Sequence, residues 1–565
     1  MKKFSEFKFK KVDLNKIQKD FTEMMNAFQN ATSFEEQDQI LVKYFKYGED
    51  LNTNFSIAHV RYTQDTTNEE NIKNKQTLDE VGPLLGVFTN AFSKALVNSK
   101  FRKELEEKWG THLFNMYQVS LECFDEKIVP ELQELNKLSS EYTKIVASAK
   151  IEFNGEVLNL SQLGKYAQSL DRDVRRKASL ASSNFFNEHN EEIGEIYDKM
   201  VKIRTQMAHK LGYKNFIELG YKSLGRTDYD QYMVENYRKQ IYNDLVPLTN
   251  KLFKEQAKRL KIRNPQSYDY NLMFSSGNAT PNGNKEFLVE QASKMYKELS
   301  KETDEFFTFM RKYELLDLEA RAGKAGGGYM TSFPKYKAPF IFANFNGTSG
   351  DVDVLTHEVG HAFQGYLSRN IKCPDYRMPT LEACEIHSMS MEFLTYPWMK
   401  LFFGENEEKY RYAHLVDAIT FIPYGVAIDE FQHFVYENPE VTHKERCAKW
   451  REIEKKYLPH RKYDESEFLD NGGYWMRQSH IFGSPFYYID YTLAQVVAFQ
   501  FFVENEKNHQ RAWNKYVRLC KLGGKYPFTK LLEKAKLNNP FVDGTVKKIV
   551  KPLNKYLKSI DISKY

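Results

Sequence analysis

The chain has 565 residues, of which 81 are basic and 76 acidic, giving a formal net charge of +5. So mild a balance gives no reason to expect a nucleic-acid partner. A mean hydropathy of −0.62, with no long uncharged apolar run, excludes a spanning helix and a membrane role. The length alone suggests two to four domains. The start, "MKKFSEFKFKKVDL", has lysines but no apolar segment behind them, so no secretory signal is expected. Next, "TSFEEQDQILVKYF" places Ser33 three residues before Glu36, a capping box ahead of an apolar helical stripe. "KIEFNGEVLNL" breaks the helical period, and Asn154-Gly155 between alternating residues predicts a hairpin near 151–158. Helical patterning resumes and runs on to about residue 261. "NPQSYDYNLMFSSGNATPNGNKEF" then reads as a polar connector. "RAGKAGGGYMTSFPKYKAPFIFANFNGTSGDVD" is the one long departure from helix, with a triple glycine and a β-like run. The lysine-rich end reads as a solvated helix face. The expected division is an N-terminal helical region at 1–195 and a second region at 196–565. The five scattered cysteines, Cys123, Cys373, Cys384, Cys447 and Cys520, read as free thiols of a reducing, cytoplasmic compartment.

The stretch "LTHEVGHAF" carries the chemistry. His357 and His361 are four apart, so on a helix they share a face and can point two imidazole nitrogens at one ion. Zinc accepts such nitrogens at about 2.0–2.1 Å in a tetrahedral shell. Glu358 would not be a ligand; it sits where a carboxylate can take a proton from the attacking water. Gly360 suits a tightly packed point. A chain of this length and composition shows the spacing by chance about once in fifty to a hundred cases. The bland alternative is a helix with two surface histidines.

A catalytic site needs a third protein ligand and an open position. "PTLEACEIHSMSMEFLTYPW" offers Glu382, Glu385 and His387, and spacing does not choose among them. "RQSHIFGSPFYYIDYTLAQ" offers His480, Tyr487, Tyr488 and Tyr491, which read equally as helix packing.

"HEVGHAF" followed by "EIHSMSMEF", with Glu385 24 residues after His361, resembles the oligoendopeptidase F and Pz-peptidase branch of the thimet oligopeptidase-like zinc peptidases. "LDRDVRRKA", "QMAHKLGYKNFIELGY" and "GGKYPFTKLLEKAKLNNPFVDG" extend the resemblance over most of the chain. It implies a mostly α fold, a two-lobed helical bowl or clamshell with a deep channel and a small β-element beside the zinc helix. It also implies one Zn2+ per chain on His357, His361 and Glu385, the last within an E-x-x-S-x-x-x-E pattern of Glu385, Ser388 and Glu392. Glu392 would then hold a histidine ring in its tautomer. Asp353, one turn before His357, either orients that ligand or caps the helix. By the same resemblance His480, Tyr488 and Tyr491 stabilise an oxyanion, with Tyr487 the competitor of Tyr488. The strand "PFIFANFNGTSG" can present a free edge to an extended peptide through Ala343 and Asn344. The loop at Gly327, Gly328 and Tyr329 resembles a mobile cover over substrate. The reading expected is a cytoplasmic zinc endopeptidase of short peptides. A bowl-shaped carboxypeptidase or an inactive peptide binder are the alternatives.

Overall fold

The computed structural model describes residues 1–321 and 323–565, and leaves the side chains at positions 79, 80, 83 and 161 undescribed. Helices carry 71% of the chain, so the fold is mostly α. The N-terminal part holds α1 (Leu14–Asn30), α2 (Phe34–Gln64), α3 (Glu69–Val97) and α4 (Thr111–Glu122). The cap of α2 departs slightly from the expected box. Ser33 accepts from the Glu36 N–H at 3.2 Å, but the Glu36 carboxylate returns to the Thr32 N–H at 2.6 Å, one residue early. These helices share an apolar cluster that includes Phe28, Leu41, Phe92, Leu96 and Leu113 and is joined by Cys373 and Tyr376 from far along the chain.

The hairpin forms as expected: β1 (Ile151–Phe153) pairs with β2 (Glu156–Leu158) around a two-residue turn. Asn154 and Gly155 have φ of 51° and 79°, the left-handed pair that such a turn requires. The expected polar connector is more than a connector. Asp269 within it is buried and accepts from Arg172 at 2.9 Å and Arg175 at 3.3 Å, and Met273 and Phe274 enter the main core. The buried Arg175 guanidinium needs a carboxylate, and this segment supplies it.

Three strands form the second sheet: β3 (Leu316–Glu319), β4 (Tyr329–Phe333) and β5 (Ala338–Phe345), in the order β3–β5–β4. β5 runs parallel to β3 and antiparallel to β4, with Tyr329 opposite Phe342 and Phe333 opposite Ala338. The strand expected to offer a free edge is therefore the central one. Its first six residues are all buried, the continuous apolar run of a strand covered on both faces. The edges that no strand pairs among the described residues belong to β3 and β4.

The sheet leads into α5 (Gly350–Ser368), which packs on α6 (Leu381–Leu394). Around them lie α7 (Glu407–Glu437), α8 (Tyr488–Asn505) and α9 (His509–Leu522). The α5–α6 crossing is close because Gly360 has no side chain: a Cβ there would lie 2.6 Å from the His387 carbonyl oxygen and the Ser388 Cα. Among the described residues, no helix is long and apolar enough to cross a membrane. All five cysteines are free.

Candidate metal centre

The α5–α6 crossing sets three ligand atoms around one point. The Nε2 atoms of His357 and His361 lie 3.3 and 3.4 Å from the same oxygen, Glu385 Oε2. They form the one cluster of metal-ligand type among the described residues. A charge-assisted hydrogen bond would draw each pair to about 2.7–2.9 Å. A tetrahedral shell of radius about 2.0–2.1 Å separates its ligand atoms by about 3.3–3.4 Å. The observed spacings fit the second geometry, so the residues present suit a zinc ion.

Outer contacts hold the ligands in place. His357 Nδ1 lies 2.7 Å from Glu392 Oε1, which directs the other ring nitrogen inward. The second Glu392 oxygen meets His414 Nε2 at 2.7 Å, and the Tyr396 hydroxyl meets His414 Nδ1 at 2.7 Å. Ser388 donates to Glu385 Oε2 at 3.0 Å, and the Tyr487 hydroxyl donates to Glu385 Oε1 at 3.1 Å. Burial lowers the His357 imidazole, but its bonds to Glu385 and Glu392 more than offset this and hold it well above the usual histidine range.

Glu358 stands beside this cluster. It is 7% exposed, and its Oε2 has no hydrogen-bond partner among the described residues. Burial pushes its carboxyl up, the poise of a group that exchanges protons. The glycine loop covers it: a Cβ on Gly328 would lie 3.7 Å from Glu358 Oε1. Asn344 braces that loop through the carbonyls of Ala325 and Gly327, at 2.9 and 2.8 Å. Tyr329 is turned away from the cluster. Its ring stacks on Phe342, and its hydroxyl meets Thr63 Oγ1 at 2.6 Å. Ala343 is buried, and its carbonyl accepts from Lys324.

Two candidate ligands lie elsewhere. His387 is fully buried, 3.4 Å from Cys520 Sγ, and burial takes its pKa down to about 3. Glu382 is fully buried near the Arg226–Asp490 pair, and burial together with the Asp490 charge pushes it up to about 8. Asp353 does not cap α5. It accepts from the Tyr410 hydroxyl, while Asp351 accepts the N–H groups of Asn346 and Gly347 at 2.9 and 2.7 Å.

The tyrosines are arranged differently from expectation. Tyr487 and Tyr491 are four apart with rings at 5.0 Å, so they share a face, and Tyr487 reaches Glu385. Tyr488 is about 100° further round the helix. Its ring packs edge-on to Phe421 and Tyr424, both at 5.8 Å, and the hydroxyl on the ligand carboxylate is not its own. His480 lies among the three rings, at 5.9, 5.0 and 5.8 Å from Tyr487, Tyr488 and Tyr491. Its Nδ1 accepts from the Gln478 amide at 2.7 Å, and that amide's oxygen accepts from Tyr424 at 2.9 Å. Sequence reasoning did not find His414, Tyr396, Tyr410 or Gln478. Their part comes from contacts between separate elements, which no local period signals.

A site with two helix-borne histidines, a facing glutamate and a buried partnerless carboxylate has the composition of a hydrolytic metal centre. The chain belongs to peptidase family M3: the profile for that family matches residues 165–550, and that for the peptidase M3 N-terminal domain matches residues 4–124. It is therefore an oligoendopeptidase-like peptidase, a hydrolase. A solved structure assigned as an oligoendopeptidase F is 49% identical, covering 100% of both chains, with a TM-score of 0.95. Pz peptidase A in complex with an inhibitor is 50% identical over 99% of this chain and 100% of its own, also with a TM-score of 0.95. A protein assigned as oligoendopeptidase F from Bacillus anthracis is 46% identical over 100% of both chains, with a TM-score of 0.91. No curated protein matches the chain. The helical bowl implied by the resemblance is the fold that the chain shares with these structures.

Proposed function

We propose that the protein is a zinc endopeptidase of the reducing cytoplasm that cleaves internal bonds of short, extended peptides. The observation that carries this reading is one carboxylate oxygen, Glu385 Oε2, facing two imidazole nitrogens at 3.3 and 3.4 Å. His357, His361 and Glu385 would hold the ion, leaving one position open. A zinc ion bound there supplies Lewis acidity, polarising the scissile carbonyl and acidifying the attacking water. Glu358 takes the proton from that water and returns it to the leaving amine. Its buried, partnerless oxygen makes it a stronger base than a solvated carboxylate. Tyr487 and Tyr491 donate to the oxygen that gains charge. Gln478 fixes His480 with its proton on Nε2, so this ring is a third donor. The substrate backbone pairs with the edge of β4, where main-chain bonds read no side chain and admit many sequences. Extended peptides of about 5–20 residues are suited to such an edge and folded surfaces are not.

Paired variants test the roles. Glu358→Gln is expected to lower turnover by about 10²–10⁴-fold while metal analysis still finds one zinc per chain. Glu385→Ala is expected to lose the zinc itself. Equal zinc retention in the two variants would remove Glu385 from the ligand set.

A further inference from the structure

A cavity of about 530 Å³ lies between the N-terminal helices and the C-terminal ends of α5 and β4. Its position relative to the metal cluster can be measured along two elements. On α5 and at its C-cap, Gly365 and Arg369 line it. They follow His361 by four and eight residues, on the same stripe, which places them about 6 and 12 Å further along the axis. On β4, Ser332 lines it and lies four residues beyond Gly328, the glycine that covers Glu358. At about 3.3 Å per residue this is about 13 Å. Arg369 and Ser332 thus lie about four extended residues from the point of cleavage, and Gly365 about two.

Glycines hold the cavity open. Gly48 lies inside α2 and Gly86 inside α3, where each costs up to about 1 kcal/mol relative to alanine. Neither has a backbone reason to be glycine, since neither has a left-handed φ, and no atom lies within 4 Å of a Cβ built on either. Both face the cavity, and Gly365 faces it from α5. Three helices thus leave out a side chain at positions that line this space.

The lining states what the cavity accepts. Phe21, Tyr44, Phe45, Leu51 and Leu85 supply an apolar wall. The charged groups there already have partners: Glu49 pairs with Arg377, the Tyr117 hydroxyl donates to Asp375 at 3.0 Å, and Lys337 reaches Asn370 at 2.8 Å. The Arg369 guanidinium lies over the Tyr366 ring and donates to that residue's carbonyl. A wall of rings and aliphatic side chains, with each charged group already held by a neighbour, favours a large apolar side chain over a charged one.

We infer that this cavity is a distal specificity subsite, which takes an aromatic or large aliphatic side chain about three to five residues from the scissile bond. The inference rests on the peptidase reading and gives it a substrate class: short peptides with an apolar anchor well away from the cut. The test uses nested fluorogenic peptides. The shortest has two residues on each side of the cleaved bond, and longer ones add residues singly on either side, ending in Phe or in Gly. In the parent, one Phe-ended peptide extended to the third, fourth or fifth position should exceed its Gly-ended twin in kcat/KM by about tenfold or more, mainly through KM. Gly48→Leu and Gly86→Leu put a side chain into the cavity from positions where a Cβ meets nothing within 4 Å, and they raise helix propensity. They should erase that advantage while leaving cleavage of the shortest peptide within about twofold. If both variants retain the Phe advantage, or if they slow the shortest peptide equally, the subsite does not exist. If the parent cleaves none of the peptides, the peptidase reading fails first, an outcome distinct from the parent cleaving all of them without preference, which refutes the subsite alone.

Discussion

Gly360 and Gly48 both sit in the interiors of long helices, and they serve opposite ends. At Gly360 the missing side chain lets two backbones touch, since a Cβ would stand 2.6 Å from the chain of α6. At Gly48 nothing lies within 4 Å of where a Cβ would be. The first glycine closes the wall that carries the metal cluster; the second keeps space free in the helices that face it. The contrast runs through both regions. Around the cluster, His357 is fixed by Glu392, Glu392 in turn by His414, and Glu385 by Ser388 and Tyr487. Around the cavity the polar groups pair among themselves and leave the apolar surface to a visitor. Chemistry needs the rigid side, because a shift of about 1 Å can cost about 10²-fold in rate. Selection among peptides needs the open one.

Alanine at the two glycines should separate these roles most strongly. Gly360→Ala forces α5 and α6 apart at a backbone contact, an overpacking expected to cost about 1–3 kcal/mol or more. It also moves Glu385 away from the histidines, so zinc affinity should fall steeply. Gly48→Ala should instead stabilise the protein by about 0.4–1 kcal/mol and leave zinc binding alone. Thermal melts with a zinc titration measure both. A Gly360→Ala protein that melts with the parent and keeps its zinc would show that the crossing has slack and that the contrast is not real.

Within the rigid wall, the tyrosines give the next effect. Removing a donor to a developing oxyanion typically lowers turnover by about 10²–10³-fold. Phenylalanine at Tyr487 or Tyr491 should do this in at least one case, with zinc retained and KM little changed. Tyr487→Phe also removes a hydrogen bond to Glu385, so its zinc affinity is measured alongside. Tyr488→Phe should stay within about threefold of the parent, because that ring packs on Phe421 and Tyr424. A large loss in Tyr488→Phe alone would restore the assignment made from the resemblance.

How much of this could be read from the residues follows from the range of the interactions. Whatever repeats within one element was legible: the i, i+4 histidines, the Asn-Gly turn, and the helical period that gave a mostly α fold. Glu385 was legible only through resemblance, since spacing left Glu382 and His387 level with it. In the structure Glu385 faces the two histidines, whereas Glu382 lies by the Arg226–Asp490 pair and His387 by Cys520. β5 was misread as an edge because a short apolar run does not say how many neighbours it has; six consecutive buried residues answer that. Tyr487 and Tyr488 are adjacent in sequence, and only the helix start decides which of them meets Glu385. His414 lies 22 residues after Glu392 on another helix, and no pattern in the chain joins them.

The smallest effect tests whether the two regions are separable at all. They are clipped together by Tyr376, which follows α5 and enters the core of the N-terminal helices. Its hydroxyl accepts from the Leu113 N–H at 2.8 Å at the start of α4 and lies 3.4 Å from the Gly110 carbonyl. Tyr376→Phe removes that acceptor and keeps the ring. An unpaired buried N–H costs about 1–3 kcal/mol, but the Leu113 N–H retains a longer bond to the Gly110 carbonyl at 3.2 Å. The loss should therefore fall near the lower bound, about 1 kcal/mol. If the halves answer separately, hydrogen exchange should quicken across residues 111–122 while zinc affinity and cleavage of the shortest peptide stay at parental values. The ring still fills its place between the helices, so the N-terminal region should loosen without detaching. A parallel fall in zinc affinity would mean that the clip also holds α5 in register for the metal. The open and the rigid sides would then be one cooperative unit, and the division of labour between Gly48 and Gly360 would have to be argued from catalysis alone.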